Sequence, residues 1–136
     1  EHSDLGVTLA GVQKAHPELK LVAADDIWPE QSFYSRSDHF NFAKQGVPAL
    51  YARAGVTHAD KGAAYGQQWS DDYTANRYHK PADEFDPNWD YTGIIDDLNI
   101  YFDAGKKLSE PGVWPPWSEA SEFRAARDAS AAERAK

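Results

Sequence analysis

The 136-residue chain contains no cysteine and no methionine. Without cysteine there is neither a disulfide framework nor a thiolate zinc site, so any metal would need His, Asp and Glu ligands. Without methionine there is no start residue, and the sequence reads as a mature, trimmed or partial chain beginning at Glu1. No apolar run approaches the roughly 20 residues of a membrane span, and no signal-peptide pattern is present. Positive charge is scarce: 14 Lys and Arg stand against 22 Asp and Glu, a net charge of -8. A chain of that sign repels phosphate backbones, which argues against nucleic acid as a partner. There is no basic amphipathic stretch for a membrane surface. HExxH, HxH and glycine-rich phosphate-loop spacings are also missing, and no Ser-His-Asp arrangement can be argued.

What is present suits one globular core. Hydrophobic residues make up 41% of the chain and charged residues 26%, with a low mean hydropathy of -0.72. Ser3 to Glu18 reads as a helix, with Leu5, Leu9 and Val12 at helical spacing, Ser3 as cap and Pro17 as stop. Leu19 to Asp26 reads as a short strand, followed by a loop at Trp28. Ser37 is expected to cap a short helix over Asp38–Gln45, with Gly46 in the left-handed position after it and a buried strand over Val47–Ala52. Residues 54–78 read as a long aromatic-bearing polar loop facing a ligand. Asp90 caps a helix whose apolar face runs through Tyr91, Ile94, Ile95, Leu98, Tyr101, Phe102 and Leu108. A Pro/Trp-rich turn and a polar, alanine-rich tail follow, which divides the chain at 1–110 and 111–136.

Chemistry has to come from the five histidines and the carboxylates. His2, His16 and His58 read as structural or solvated. His39, in the first turn of a short helix after Asp38, is either a hydrogen-bonded structural residue or part of a substrate site. His79 sits in RYHKPADEFD (77–86) among Asp83, Glu84 and Asp86. It is either a loop histidine or a metal ligand whose ring a carboxylate orients.

Two blocks together point further. RSDHFNFAKQGVPAL (36–50), followed some thirty residues later by RYHKPADEFD, resembles the C-terminal part of metallopeptidase family 28. These are zinc-dependent aminopeptidases and carboxypeptidases related to glutamate carboxypeptidase and glutaminyl cyclase. EHSDLG (1–6) resembles a segment upstream of this block, and WPPW with EFRAAR resembles the exported bacterial branch. The resemblance implies an α/β sandwich with a mixed, largely parallel sheet flanked by helices. It implies a site of two zinc ions in which His79 is a ligand, Tyr78 donates to the developing oxyanion, and Asp38 and His39 line or support the substrate site. Asp83 is then a candidate partner of His79. The family's remaining ligands and its general-base glutamate lie upstream of any motif present here. The expectation is therefore the C-terminal part of an exported zinc exopeptidase that hydrolyses a peptide substrate with a metal-activated water, inactive alone and completed by the missing N-terminal half of the same domain. The alternatives are a non-catalytic peptide- or protein-binding module of the same fold and a glutaminyl-cyclase-type acyltransferase.

Overall fold

A computed structural model describes residues 3–112 and 114–134. Six α-helices follow in chain order among them: α1 (Asp4–Ala15), α2 (His39–Lys44), α3 (Gly62–Asn76), α4 (Thr92–Leu108), α5 (Arg124–Ala129) and α6 (Ala131–Arg134). Short 3-10 turns occupy Pro17–Leu19, Pro29–Gln31 and Tyr34–Arg36. The chain divides into two units, one of Glu1–Ala52 with Leu98–Lys136 and one of Arg53–Asp97.

The first unit is built on two apolar clusters. α1 forms because Leu5, Leu9 and Val12 repeat on one side, and it ends before Pro17, which cannot continue the ladder. Val12 meets Ile100 and Ala104 of α4, with Leu9, Leu19 and Leu21 packed around them. The second cluster joins Tyr34, Ala43, Trp117 and Phe123, with Phe40 and Ala49 against it. Trp117 is fully buried, and its indole N–H donates to the Gly46 carbonyl at 3.0 Å. Gly46 has φ of 80°, and a Cβ there would run into the backbone of Ala126 and Arg127. Glycine is thus required both for the left-handed turn after α2 and for the close approach of α5.

In the second unit, α3 starts at Gly62 behind His58. The His58 Nδ1 accepts the backbone N–H groups of Asp60 and Lys61 at 3.1 and 3.2 Å, so its neutral ring carries the proton on Nε2. The Val56 carbonyl lies so close to Gly66 that a Cβ there would collide with it. Asp90 opens α4 by accepting the N–H and the hydroxyl of Thr92 at 2.9 and 2.6 Å.

Several expectations are overturned. The α/β sandwich is one: the described residues form no strand, only isolated bridges between Ser3 and Trp117 and between His58 and Gly62. A strand needs a neighbour to take its N–H and C=O groups. Residues 20–26 and 47–52 lack helix and sheet alike, and no segment among the described residues pairs with them. In these segments Leu21 packs against one cluster and Ala49 against the other, while Val22, Val47 and Leu50 stay exposed. Some of their backbone groups are met by side chains: Gln13 accepts from the Ala23 N–H at 2.8 Å, and the Tyr34 hydroxyl donates to the Ala49 carbonyl at 3.2 Å.

The long loop over 54–78 is also corrected, since α3 occupies most of it. Ser37 does not cap α2; its hydroxyl donates to the Phe33 carbonyl at 3.1 Å. The Pro/Trp-rich turn packs on the core through Trp117, and the first part of the polar tail joins it: Phe123 belongs to the core and Arg127 is buried, its guanidinium donating to the Pro115 carbonyl at 3.1 Å.

Candidate functional site

The turn after α3 carries three of the residues singled out by the sequence. Two backbone N–H groups, of Arg77 and Tyr78, converge on the Tyr73 carbonyl at 2.8 and 2.9 Å and close the helix. Lys80 N–H then bonds the Arg77 carbonyl at 2.8 Å, and Asp83 N–H the Lys80 carbonyl at 3.0 Å. This winding forces His79 into a left-handed conformation, φ 55°, in which a non-glycine residue is uncommon. Tyr78 is half exposed, and the His79 ring stacks on it with centroids 4.0 Å apart. The Asp83 carboxylate accepts the Tyr73 hydroxyl at 2.9 Å. That bond is the main cause holding the Tyr73 phenol above its ordinary pKa.

Asp38 and His39 lie in the first unit, at the start of α2. Asp38 stands at the helix entry but makes no side-chain capping bond. The His39 ring stacks on Tyr51 at 5.1 Å and meets Tyr34 edge-on at 4.5 Å. Its Nε2 is buried and has no hydrogen-bond partner among the described residues. Burial is the first cause lowering its pKa, which keeps the ring neutral.

Zinc does not fit what is present. A catalytic zinc takes three protein ligands or more. No three His, Cys, Asp or Glu side chains converge to hold a metal among the described residues. The two-zinc cofactor set is corrected on that ground, and no step through a metal-bound water follows from this geometry.

Two features were not legible as sites. One is an aromatic row on α3, where Tyr65, Trp69 and Tyr73 stand four residues apart and therefore on one side. The four-residue spacing was the signal that marks a helix there. The other is the outer side of α4. Its apolar positions were expected to face a core, yet only Ile100 and Ala104 are buried. Ile94, Ile95, Leu98 and Phe102 are 56, 54, 58 and 71% exposed.

A model of the peptidase family M28 matches residues 6–102, most of the chain. No curated protein and no solved structure matches it. The match concerns sequence, and the sandwich fold and the zinc site that the resemblance implies are overturned. The chain is not read as a C-terminal portion of a zinc exopeptidase with its sandwich fold, because the described residues are helical and bring no metal ligands together. The assignments of hydrolase, aminopeptidase and zinc enzyme fall with it, as does the one-zinc acyltransferase. No helix among the described residues is long and apolar enough to cross a membrane.

Proposed function

Since the chain belongs to peptidase family M28, we propose that it serves as a polypeptide-docking module of that family, completing its apolar surface on a second polypeptide segment. The observation that carries this reading is the exposure of Leu98 and Phe102 on the part of α4 that belongs to the first unit. Fully burying such a side chain contributes about 1.5–3 kcal/mol. The exposed portions of these two together represent about 2–4 kcal/mol, a sizeable part of the net stability of a small domain. Contiguous apolar surface of this kind marks an interaction site in a folded protein. The helix is otherwise well specified: Asp90 at its start, and Lys106 and Lys107 in the last turn against the negative end of its dipole. Its outer face is therefore a defined surface and not an unravelled one.

The occupant with the best claim is the remaining portion of an M28-type domain, whether in the same polypeptide or in another. The reading is supported by the match over residues 6–102. Tyr78 and His79, exposed after α3, and Asp38 and His39 at α2 are offered as residues that contact or support the bound polypeptide.

Calorimetry tests this. An M28-family domain from which the region matching residues 6–102 has been deleted is titrated with this chain. Binding in the micromolar range or tighter is expected, with Leu98→Asp and Phe102→Asp each weakening it at least about tenfold. No heat of binding, or variants that bind like the parent, would sink the proposal.

A further inference from the structure

His39 stands where segment 47–52 meets the core of the first unit. Its ring stacks on Tyr51, with the planes 18° apart, and Tyr34 meets it at a steep 68°. Few other contacts hold that segment. The Val47 N–H donates to the Phe42 carbonyl at 3.1 Å and anchors its start. Ala49 packs on the cluster of Tyr34, Ala43, Trp117 and Phe123, and its carbonyl accepts the Tyr34 hydroxyl at 3.2 Å. No ladder secures the rest, since residues 47–52 belong to neither helix nor sheet. The segment is apolar, and Val47, Leu50 and Tyr51 are already partly exposed. The stack on His39 is thus what keeps its far end in place.

We propose that His39 is an acid-sensitive latch: its neutral ring holds segment 47–52 on the core, and its protonation lets the far end of the segment go. A neutral imidazole carries one proton, so with that proton on Nδ1 the buried Nε2 presents only a lone pair. An imidazolium carries a proton on both nitrogens. The Nε2–H would then lie buried with no acceptor among the described residues. A charged donor left unpaired inside a protein costs more than a neutral one. Turning the ring out to water relieves that cost and breaks the stack on Tyr51. Burial is the first cause holding the ring below its ordinary pKa; the amino terminus lowers it further, and the neighbouring Asp38 opposes both. The other elements packed on the ring face it with two phenols, those of Tyr34 and Tyr51. The contribution of His39 to stability is therefore fully present above pH 6.5 and lost as pH falls through its folded-state value, the reverse of a histidine raised by carboxylates. Glu18 and Asp90 act later in acid, below 4.5 and 3.8. The α4 face has no part in the latch, so the two proposals stand or fall separately.

Proton NMR of the whole chain, from about pH 7.5 down to about pH 5, tests it by reading the His39 and Tyr51 rings together. His39 should titrate with a midpoint below 6.5. The cross-peaks between the two rings should vanish with the same midpoint. In His39→Phe the cross-peaks between Tyr51 and the new ring should persist over the whole range, with circular dichroism showing that the helices are kept. Tyr51→Ala gives a reading that leaves His39 in place: with its stacked face uncovered, the His39 midpoint should rise toward 6.5. A wild-type midpoint at or above 6.5 would overturn the latch. So would cross-peaks that survive while His39 titrates, the same loss in His39→Phe, or a His39 midpoint that Tyr51→Ala leaves unmoved.

Discussion

Trp117 and His39 are two buried rings with opposite prospects. Trp117 fills the cluster around Tyr34 and Phe123 and satisfies the Gly46 carbonyl. Trp117→Ala should destabilise the first unit by about 3–5 kcal/mol. Trp117→Phe keeps most of the volume but strands that carbonyl, at a cost of about 1–3 kcal/mol. Urea unfolding followed by near-ultraviolet circular dichroism measures both. His39 keeps a buried nitrogen that no described residue bonds. His39→Phe preserves the contacts with Tyr34 and Tyr51 while removing the unpaired atom. It should therefore be neutral or stabilising, by up to about 1 kcal/mol. A marked loss of stability would mean that Nε2 has a partner. Some of this was readable in advance. Gly46 announced its left-handed turn by following a helix and preceding an apolar run. The division of labour among the tryptophans was not readable: Trp114 and Trp117 flank the same Pro115-Pro116 pair, yet Trp117 is fully buried and Trp114 exposed.

At the level of elements, the end of α1 is tied to α4 through one imidazole. His16 Nε2 meets the Asp103 carboxylate at 2.7 Å, and Nδ1 meets Glu18 at 3.1 Å. The bonds to Asp103 and then Glu18 raise the His16 pKa above 6.5. Its contribution to stability is therefore fully present below pH 6.5 and lost as pH rises through the folded-state value. Glu18 is lowered below 4.5, chiefly by a backbone hydrogen bond and then by His16, so its contribution is present above that pH and lost as pH falls through its own folded value. The clasp should be strongest between the two. A proton NMR titration should find His16 titrating above an unstructured histidine, and Asp103→Asn should lower it; an unshifted midpoint would refute the clasp. Asp90 behaves like Glu18: its bonds from Thr92 lower its pKa, so protonating it at low pH should fray the first turn of α4. Faster amide exchange there at pH below its folded value is the readout.

α1, α2 and α4 were legible because apolar period, glycine or proline stops and an acidic entry agreed. α3 was not, because it lacks buried residues and a conventional cap; an imidazole and a glycine do the work of one.

For the molecule as a whole, surface apolarity and net charge pull in opposite directions. Large side chains such as Val22, Phe85 and Phe102 are more than two-thirds exposed, while the charge of -8 keeps copies apart. Raising salt should weaken that repulsion and promote self-association, seen as a growing sedimentation coefficient. Leu98→Asp with Phe102→Asp should suppress both that growth and the binding of a hydrophobic dye. A sedimentation coefficient independent of salt and of these changes would mean that the apolar face is already satisfied.

The sequence by itself determined the match to the M28 family, the positions of α1, α2 and α4, the turn at Gly46 and the acidic character of the chain. These depend on local propensity and on charge, which travel with the chain. The tertiary structure alone decided that Leu19 to Asp26 and Val47 to Ala52 would not be strands and that His79 would meet no fellow metal ligands among the described residues. It also decided that the apolar side of α4 would face outward. Each of those outcomes depends on a second segment arriving at the right place, and periodicity within one segment carries no record of its partner.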